Sequence, residues 1–250
     1  MRKVIFLTVL SLAGAALNIV LNTIFWKKLG VPVYLDTIFT ITVTLAGGPF
    51  WGVLTGALTN IVGHSIDFWG WEGYLFTICN IATALITTLF MQRFPHELSP
   101  ASRSDSGSPG SAGAASTGQD SAGAAGQYSG SSASAPGRRN AALMDRLIVL
   151  ILFSFVLCLA MSILGGLIAT FIQYMNPSRL HGEGITPAIG ILMFPDGFSI
   201  ALTEILSRIP QNIIDRLISV FAGFGLACLI VKGLKIGRRS PQMDTQPETD

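Results

Sequence analysis

Apolar residues run along this chain in blocks long enough to cross a bilayer, not in the short stripes of a soluble fold. The first block covers residues 4–25, about 22 residues, and Trp26, Lys27 and Lys28 follow it as an interfacial belt. A second, shorter block covers 34–46. Gly47, Gly48 and Pro49 then make a turn, because glycine tolerates positive φ and proline suits a helix start. Further blocks cover 50–66, 74–91, 147–174 and 211–231. Just before the last, FSIALTEILSRI at 198–209 has helical periodicity with polar and apolar sides, which predicts a short amphipathic helix at an interface. The pattern breaks at 92–146, where SDSGSPGSAGAASTGQDSAGAAGQYSGSSASAPG holds almost no large apolar side chain. Such a stretch buries too little surface to offset its ordering entropy, so a disordered linker is expected.

The predicted fold class is therefore an all-α integral membrane protein. It is a six-transmembrane-helix bundle with a disordered cytoplasmic linker between helices 4 and 5 and a short amphipathic helix before helix 6. The chain divides into 1–91 (helices 1–4), the linker 92–146, 147–232 (helices 5 and 6) and a cytoplasmic tail, 233–250. The start, MRKVIFLTVLSLAGAA, also has the basic, apolar and small-residue order of a signal peptide, but its apolar run continues to Phe25, and an uncleaved first helix is expected.

Composition sharpens this picture. Charged residues make up 12% of the 250, about half of what a soluble domain carries, and 50% are hydrophobic. A net charge of +2, with the basic residues beside apolar segments, reads as membrane topology and not as a nucleic-acid surface. Arg2, Lys3, the linker arginines and the cluster Lys232, Lys235, Arg238 and Arg239 fall on one side of a six-span bundle, with Lys27 and Lys28 as exceptions. The positive-inside rule then predicts a multi-pass protein of the cell membrane with both termini cytoplasmic. Cys79, Cys158 and Cys228 each lie in an apolar run without CxxC spacing and read as small packing residues.

Polar residues crowd the outward half of the spans. Asn18 and Asn22 share one face of the first, Asp36 and Thr37 start the second, and Thr59, Asn60 and His64 lie late in the third. Asp67, Trp69, Trp71 and Glu72 fill the following loop. Asn80 is two turns into the fourth span, Gln173 ends the fifth, and Gln211, Asn212, Asp215 and Arg216 open the sixth. A polar group in hydrocarbon is costly without a partner, by about 2.5–3.5 kcal/mol for a charge on insertion scales. So many in one leaflet point to a wet cavity open to the outside. Each also has a plainer reading: the asparagines as interhelical hydrogen-bond glue, the tryptophans as belt residues, Asp215 with Arg216 as a solvated helix end, and Glu204 with Arg208 as a surface ion pair.

Ser11, Gly14 and Ala15 leave one side of the first helix nearly bare, and Gly52 and Gly56 make a GxxxG in the third. Such faces serve either close packing within the chain or docking of a second membrane protein. No nucleotide-binding, zinc-protease or serine-hydrolase motif occurs, and one histidine with one acid is too little for a closed zinc site. No enzyme activity, cofactor or metal is expected.

The stretch YLDTIFTITVTLAGGPFWGVLTGALTNIVGHSI, 34–66, has an acidic-capped short helix, a GGP turn and then W-G-x-x-x-G-x-x-x-N. It resembles helices 2 and 3 of the substrate-capture (S) components of energy-coupling factor (ECF) transporters. IPQNIIDRLISVFAGFGL, 209–226, resembles their last helix. The resemblance implies a six-helix subunit that binds a vitamin-like solute on the outer side through its first, third and fifth loops. It also implies partners, a transmembrane coupling protein and two cytoplasmic ATPases, and toppling in the membrane to deliver cargo. The family's coupling contact is an AxxxA face on the first helix. Here the region reads SLAGAAL, with Ser11 and Ala15 four apart, which makes Ser11, Gly14 and Ala15 the expected docking residues.

The cavity and the resemblance converge on one set of substrate-binding candidates. These are Asn22 and Asp36 near the first loop, Asn60, His64, Asp67, Trp71 and Glu72 around the third, and Asn80, Asn212 and Asp215 from below. Carboxylates and amides would hydrogen-bond a polar small molecule and tryptophan would stack on a ring. The excess of acids hints at a neutral or cationic ligand. The expected function is the substrate-binding subunit of an ECF-type importer. The competing expectation is a ligand-sensing membrane module that signals to a cytoplasmic partner.

Overall fold

A computed structural model of the chain describes residues 2–31, 33–67, 70–100, 136–175 and 200–236. Every described element is helical: α1 (Arg2–Asn22), α2 (Ile38–Gly47), α3 (Pro49–Asp67), α4 (Thr77–Arg93), the single turn α5 (Pro95–Leu98), α6 (Pro136–Met175) and α7 (Ile200–Ile236). A six-residue π-helical turn, Thr23–Lys28, extends α1, and a six-residue 3-10 turn, Trp71–Phe76, leads into α4. Four stretches are long and apolar enough to cross a membrane: Arg2–Trp26, Trp71–Arg93, Leu143–Met175 and Ile200–Leu234.

The second predicted span is a different object. α2 has 10 residues, about 15 Å of rise against a hydrocarbon core of about 30 Å. It packs against α1, α3, α4 and α7, and Ile38, Ile41, Val43, Leu45 and three threonines between them are buried. A helix enclosed on all sides needs no lipid-facing surface. Its threonines satisfy their own hydroxyls: Thr42 donates to Ile38 O at 2.8 Å and Thr44 to Thr40 O at 2.7 Å. Gly48 has φ +97°, which ends α2 and lets Pro49 start α3 at once. Where α2 and α3 meet, a Cβ on Gly52 would overlap the Thr44 side chain, so glycine is required for the close approach.

Two boundaries differ from expectation. The linker predicted to run to residue 146 is already helical from Pro136, as the leading turns of α6, and 95–98 forms α5. Residues 101–135 and most of the tail 233–250 lie outside the described residues. The amphipathic helix and sixth span, predicted as separate, are one 37-residue helix with Pro210 inside it. Proline removes one backbone donor, but the buried stripe of α7 continues in phase through it, from Glu204 and Ser207 to Gln211 and Asn212. Packing of that stripe against α6 and α2 outweighs the local penalty.

At one end of the bundle, Leu98 of α5 is fully buried within a dry core of Ile41, Leu45, Val149, Leu150, Phe153, Leu157, Val220, Phe224 and Ala227. At the other end meet the C-termini of α1, α3 and α6 and the N-termini of α2, α4 and α7.

Candidate functional site

The end opposite the dry core is held together by polar side chains. Asn18 on α1 donates to Thr40 on α2 and Thr59 on α3, each at 3.1 Å, and accepts the Phe39 N–H at 3.0 Å. One amide thereby ties three helices and spends three of its bonds.

Beyond this tie, the segment before α2 turns sharply. Leu35 has φ +48°, a left-handed conformation that disfavours a residue with Cβ by about 1–2 kcal/mol. Its N–H is captured by Asp215 Oδ1 at 2.8 Å, and its side chain packs with Val33 and Ile38. The turn brings Asp36 and Thr37 against α7 and α4. Arg216 Nη1 donates to Thr37 Oγ1 at 2.6 Å, and its Nη2 lies 2.9 Å from Asp215 Oδ2 and 4.0 Å from Asp36 Oδ1. Asn80 Nδ2 donates to Asp36 Oδ2 at 3.2 Å. Two chain turns further out, Arg208 pairs with Glu204 at 3.2 Å, Gln173 of α6 donates to the same carboxylate at 2.6 Å, and the Arg208 guanidinium lies 5.8 Å from the Phe76 ring centroid. Tyr34 is hydrogen-bonded to Gln211 and stacked on Trp26 at 4.8 Å.

The cluster is thus three carboxylates, Asp36, Glu204 and Asp215, with two guanidiniums, all at the edge of an apolar bundle. Ions so placed lose hydration that only good pairing returns. Pairing here is incomplete. Asp36 Oδ1, Arg208 Nε and Arg216 Nε are buried without a hydrogen-bond partner among the described residues. Such orphans are rare in native interiors.

The predicted substrate residues separate into groups. Asp36, Asn80 and Asp215 meet in the cluster. Asn22 donates to Tyr34 O at 3.2 Å and Asn60 to Phe76 O at 2.8 Å, so both brace neighbouring segments through backbone carbonyls. Asn212 donates to Ser162 Oγ at 2.9 Å and joins α6 to α7. His64 sits edge-on to Tyr74, 6.2 Å between ring centroids. Trp71 is 56% exposed, whereas neighbouring Glu72 is buried. Asp67 is the last residue of α3; its side chain, Trp69 and the fifth loop at 176–199 lie outside the described residues. Arg216, Thr37, Tyr34 and Gln211 belong to the cluster and were absent from the predicted set. The signal for Gln211 was the polar stripe Glu204, Arg208, Gln211, Asp215 at helical spacing, and Thr37 and Arg216 directly follow the predicted Asp36 and Asp215.

The small face of α1 is occupied within the chain. Ser11 is fully buried and shares a 2.8 Å hydrogen bond with Thr55 of α3. A Cβ on Gly14 would lie 3.3 Å from Phe39, Val43 and Thr55, and Ala15 is buried. On the outer side of α1 and α3, a groove of about 350 Å³ runs between Leu12, Ala16, Val20, Leu58 and Val62. It contains none of the predicted substrate residues. No group of three or more metal-binding side chains occurs among the described residues. No protein-family model, curated protein or solved structure matches the chain.

Proposed function

We propose that this chain is the membrane-embedded substrate-binding subunit of an ECF-type importer. In this reading six helices cross or enter the cell membrane with both termini cytoplasmic. The subunit captures a small vitamin-like solute from outside and passes it on through a transmembrane coupling protein and two cytoplasmic ATPases. The observation that carries the reading is the buried, incompletely paired ionic cluster at one end of an otherwise apolar bundle. Ionisable groups inside a membrane protein are costly, and those left incompletely paired are by default a functional site. The similarity of 34–66 and 209–226 to S components supports the transport assignment. The orientation is supported by Arg2, Lys3, Arg93 and Lys232, exposed at the end away from the cluster, where the positive-inside rule puts the cytoplasm.

Affinity purification of the tagged full-length protein from its own cells in mild detergent tests this. Co-purification of a coupling protein and ATPases is expected. Recovery of a kinase or regulator without any ATPase overturns transport in favour of ligand sensing.

A further inference from the structure

We infer that the ligand of the polar cluster is an organic cation with N–H donors, and that Asp36 anchors it; this rests on the reading of the cluster as a binding site. Each guanidinium already has its own carboxylate: Arg208 has Glu204 at 3.2 Å and Arg216 has Asp215 at 2.9 Å. Arg216 is further fixed by Thr37, which leaves its Nη2 4.0 Å from Asp36, beyond hydrogen-bond reach. Asp36 is therefore the carboxylate in excess. Its Oδ2 takes the neutral amide of Asn80, and its Oδ1, with only the long 4.0 Å approach of Arg216, accepts no hydrogen bond among the described residues. A carboxylate half matched and largely out of water attracts the charge it lacks.

The remaining orphans refine the ligand. Arg216 is buried with a spare Nε–H, and Arg208 has another. These donors suit a carbonyl, hydroxyl or ring-nitrogen acceptor on the same molecule. Tyr34, backed by Trp26, and Phe76, under Arg208, supply aromatic surface beside the charges. A flat cation of the amidine or aminoheterocycle type, with an acceptor, matches the Asp36 Oδ1 acceptor and a guanidinium Nε–H donor. An anionic ligand instead leaves Asp36 unmatched and adds a fourth negative charge.

The test uses the full-length protein in lipid nanodiscs and three probes of one shape: benzamidine (a cation with N–H donors), benzamide (neutral) and benzoate (an anion). Binding is measured by calorimetric titration. Benzamidine should bind about tenfold more tightly than either isostere, the worth of one charged hydrogen bond. Asp36→Asn should remove that preference, and Asp36→Glu should keep most of it. Equal or tighter binding of benzoate, no binding of benzamidine, or an unchanged preference in Asp36→Asn overturns the inference. If Asp36→Asn does not fold, the ranking of the three probes on the natural protein decides alone. The outcome is separable from the transport reading. Benzamidine selectivity without co-purified ATPases sinks transport only, and ATPases with a benzoate preference sink the cation only.

Discussion

Two halves of α7 share one buried stripe and differ in what it is made of. From Glu204 to Ser219 the buried positions are Glu204, Ser207, Gln211, Asn212, Asp215, Arg216 and Ser219; from Val220 onward they are Val220, Gly223, Phe224 and Ala227. Period and burial are the same in both. The second half packs into the dry core with Phe153 and Leu157, where dispersion contacts alone hold it. The first half holds charge and unmatched donors, and its Asp215 caps the left-handed Leu35 of the segment before α2. Stability alone would have made both halves alike, since replacing buried ion pairs by well-packed apolar residues is often neutral or stabilising. On the proposed reading, the difference marks where ligand binding has overridden packing.

The comparison breaks most directly at Asp215. Asp215→Ala should destabilise the protein by about 3 kcal/mol, because it strands the Arg216 charge and orphans the Leu35 N–H. Thermal unfolding in detergent measures this. The paired replacement Asp215→Leu with Arg216→Met should recover much of the loss while abolishing binding. If the pair is as unstable as the single variant, the polar half is structural and the contrast with Val220 and Phe224 means nothing. In the dry half, Phe153→Ala should cost roughly 2 kcal/mol, less than in a soluble core. Lipid tails solvate the exposed side chain as well as the protein does, so only the lost packing counts. Its ligand binding should be unchanged.

A smaller effect separates neighbouring glycines. A Cβ on Gly166 would lie 2.5 Å from the Ile205 side chain and 2.8 Å from its Cα, while one on Gly165 would meet nothing closer than 3.8 Å, at Arg208. Gly166→Ala should push α6 from the polar half of α7 and cost about 1–3 kcal/mol. Gly165→Ala should be close to neutral. Equal melting temperatures for the two would mean that α6 and α7 do not pack as described.

Much of this was legible in the sequence because long apolar blocks announce membrane helices by length alone. The spans 4–25, 74–91 and 147–174 coincide with apolar helices Arg2–Trp26, Trp71–Arg93 and Leu143–Met175. The enclosed position of α2 was not legible, since hydropathy does not distinguish lipid from protein as the apolar surroundings. Nor was the continuity of α7, because Pro210 signals a break that tertiary packing overrides. Asp36, Asn80 and Asp215 were found by counting polar residues per leaflet. Arg216 was missed because a cation beside an acid at a presumed helix start reads as solvated, and only the turn at Leu35 shows why it is buried.

Asn212 gives the finest test, because both halves of the comparison claim it. It lies in the polar half of α7, three residues before Asp215, yet its amide is engaged by Ser162 at 2.9 Å in a buried bond between α6 and α7. If that bond is its whole role, Asn212→Ala should lose about 0.6 kcal/mol, the usual worth of an interhelical side-chain hydrogen bond in a bilayer. The value is small because a helix separated in lipid finds other partners for its polar group. Benzamidine affinity should then stay within about twofold, since sites without a shared partner respond independently. A loss of tenfold or more at an unchanged melting temperature would put Asn212 in contact with the ligand. The ligand-binding stripe would then extend around α7 toward α6, beyond the unmatched atoms of Asp36 and Arg216.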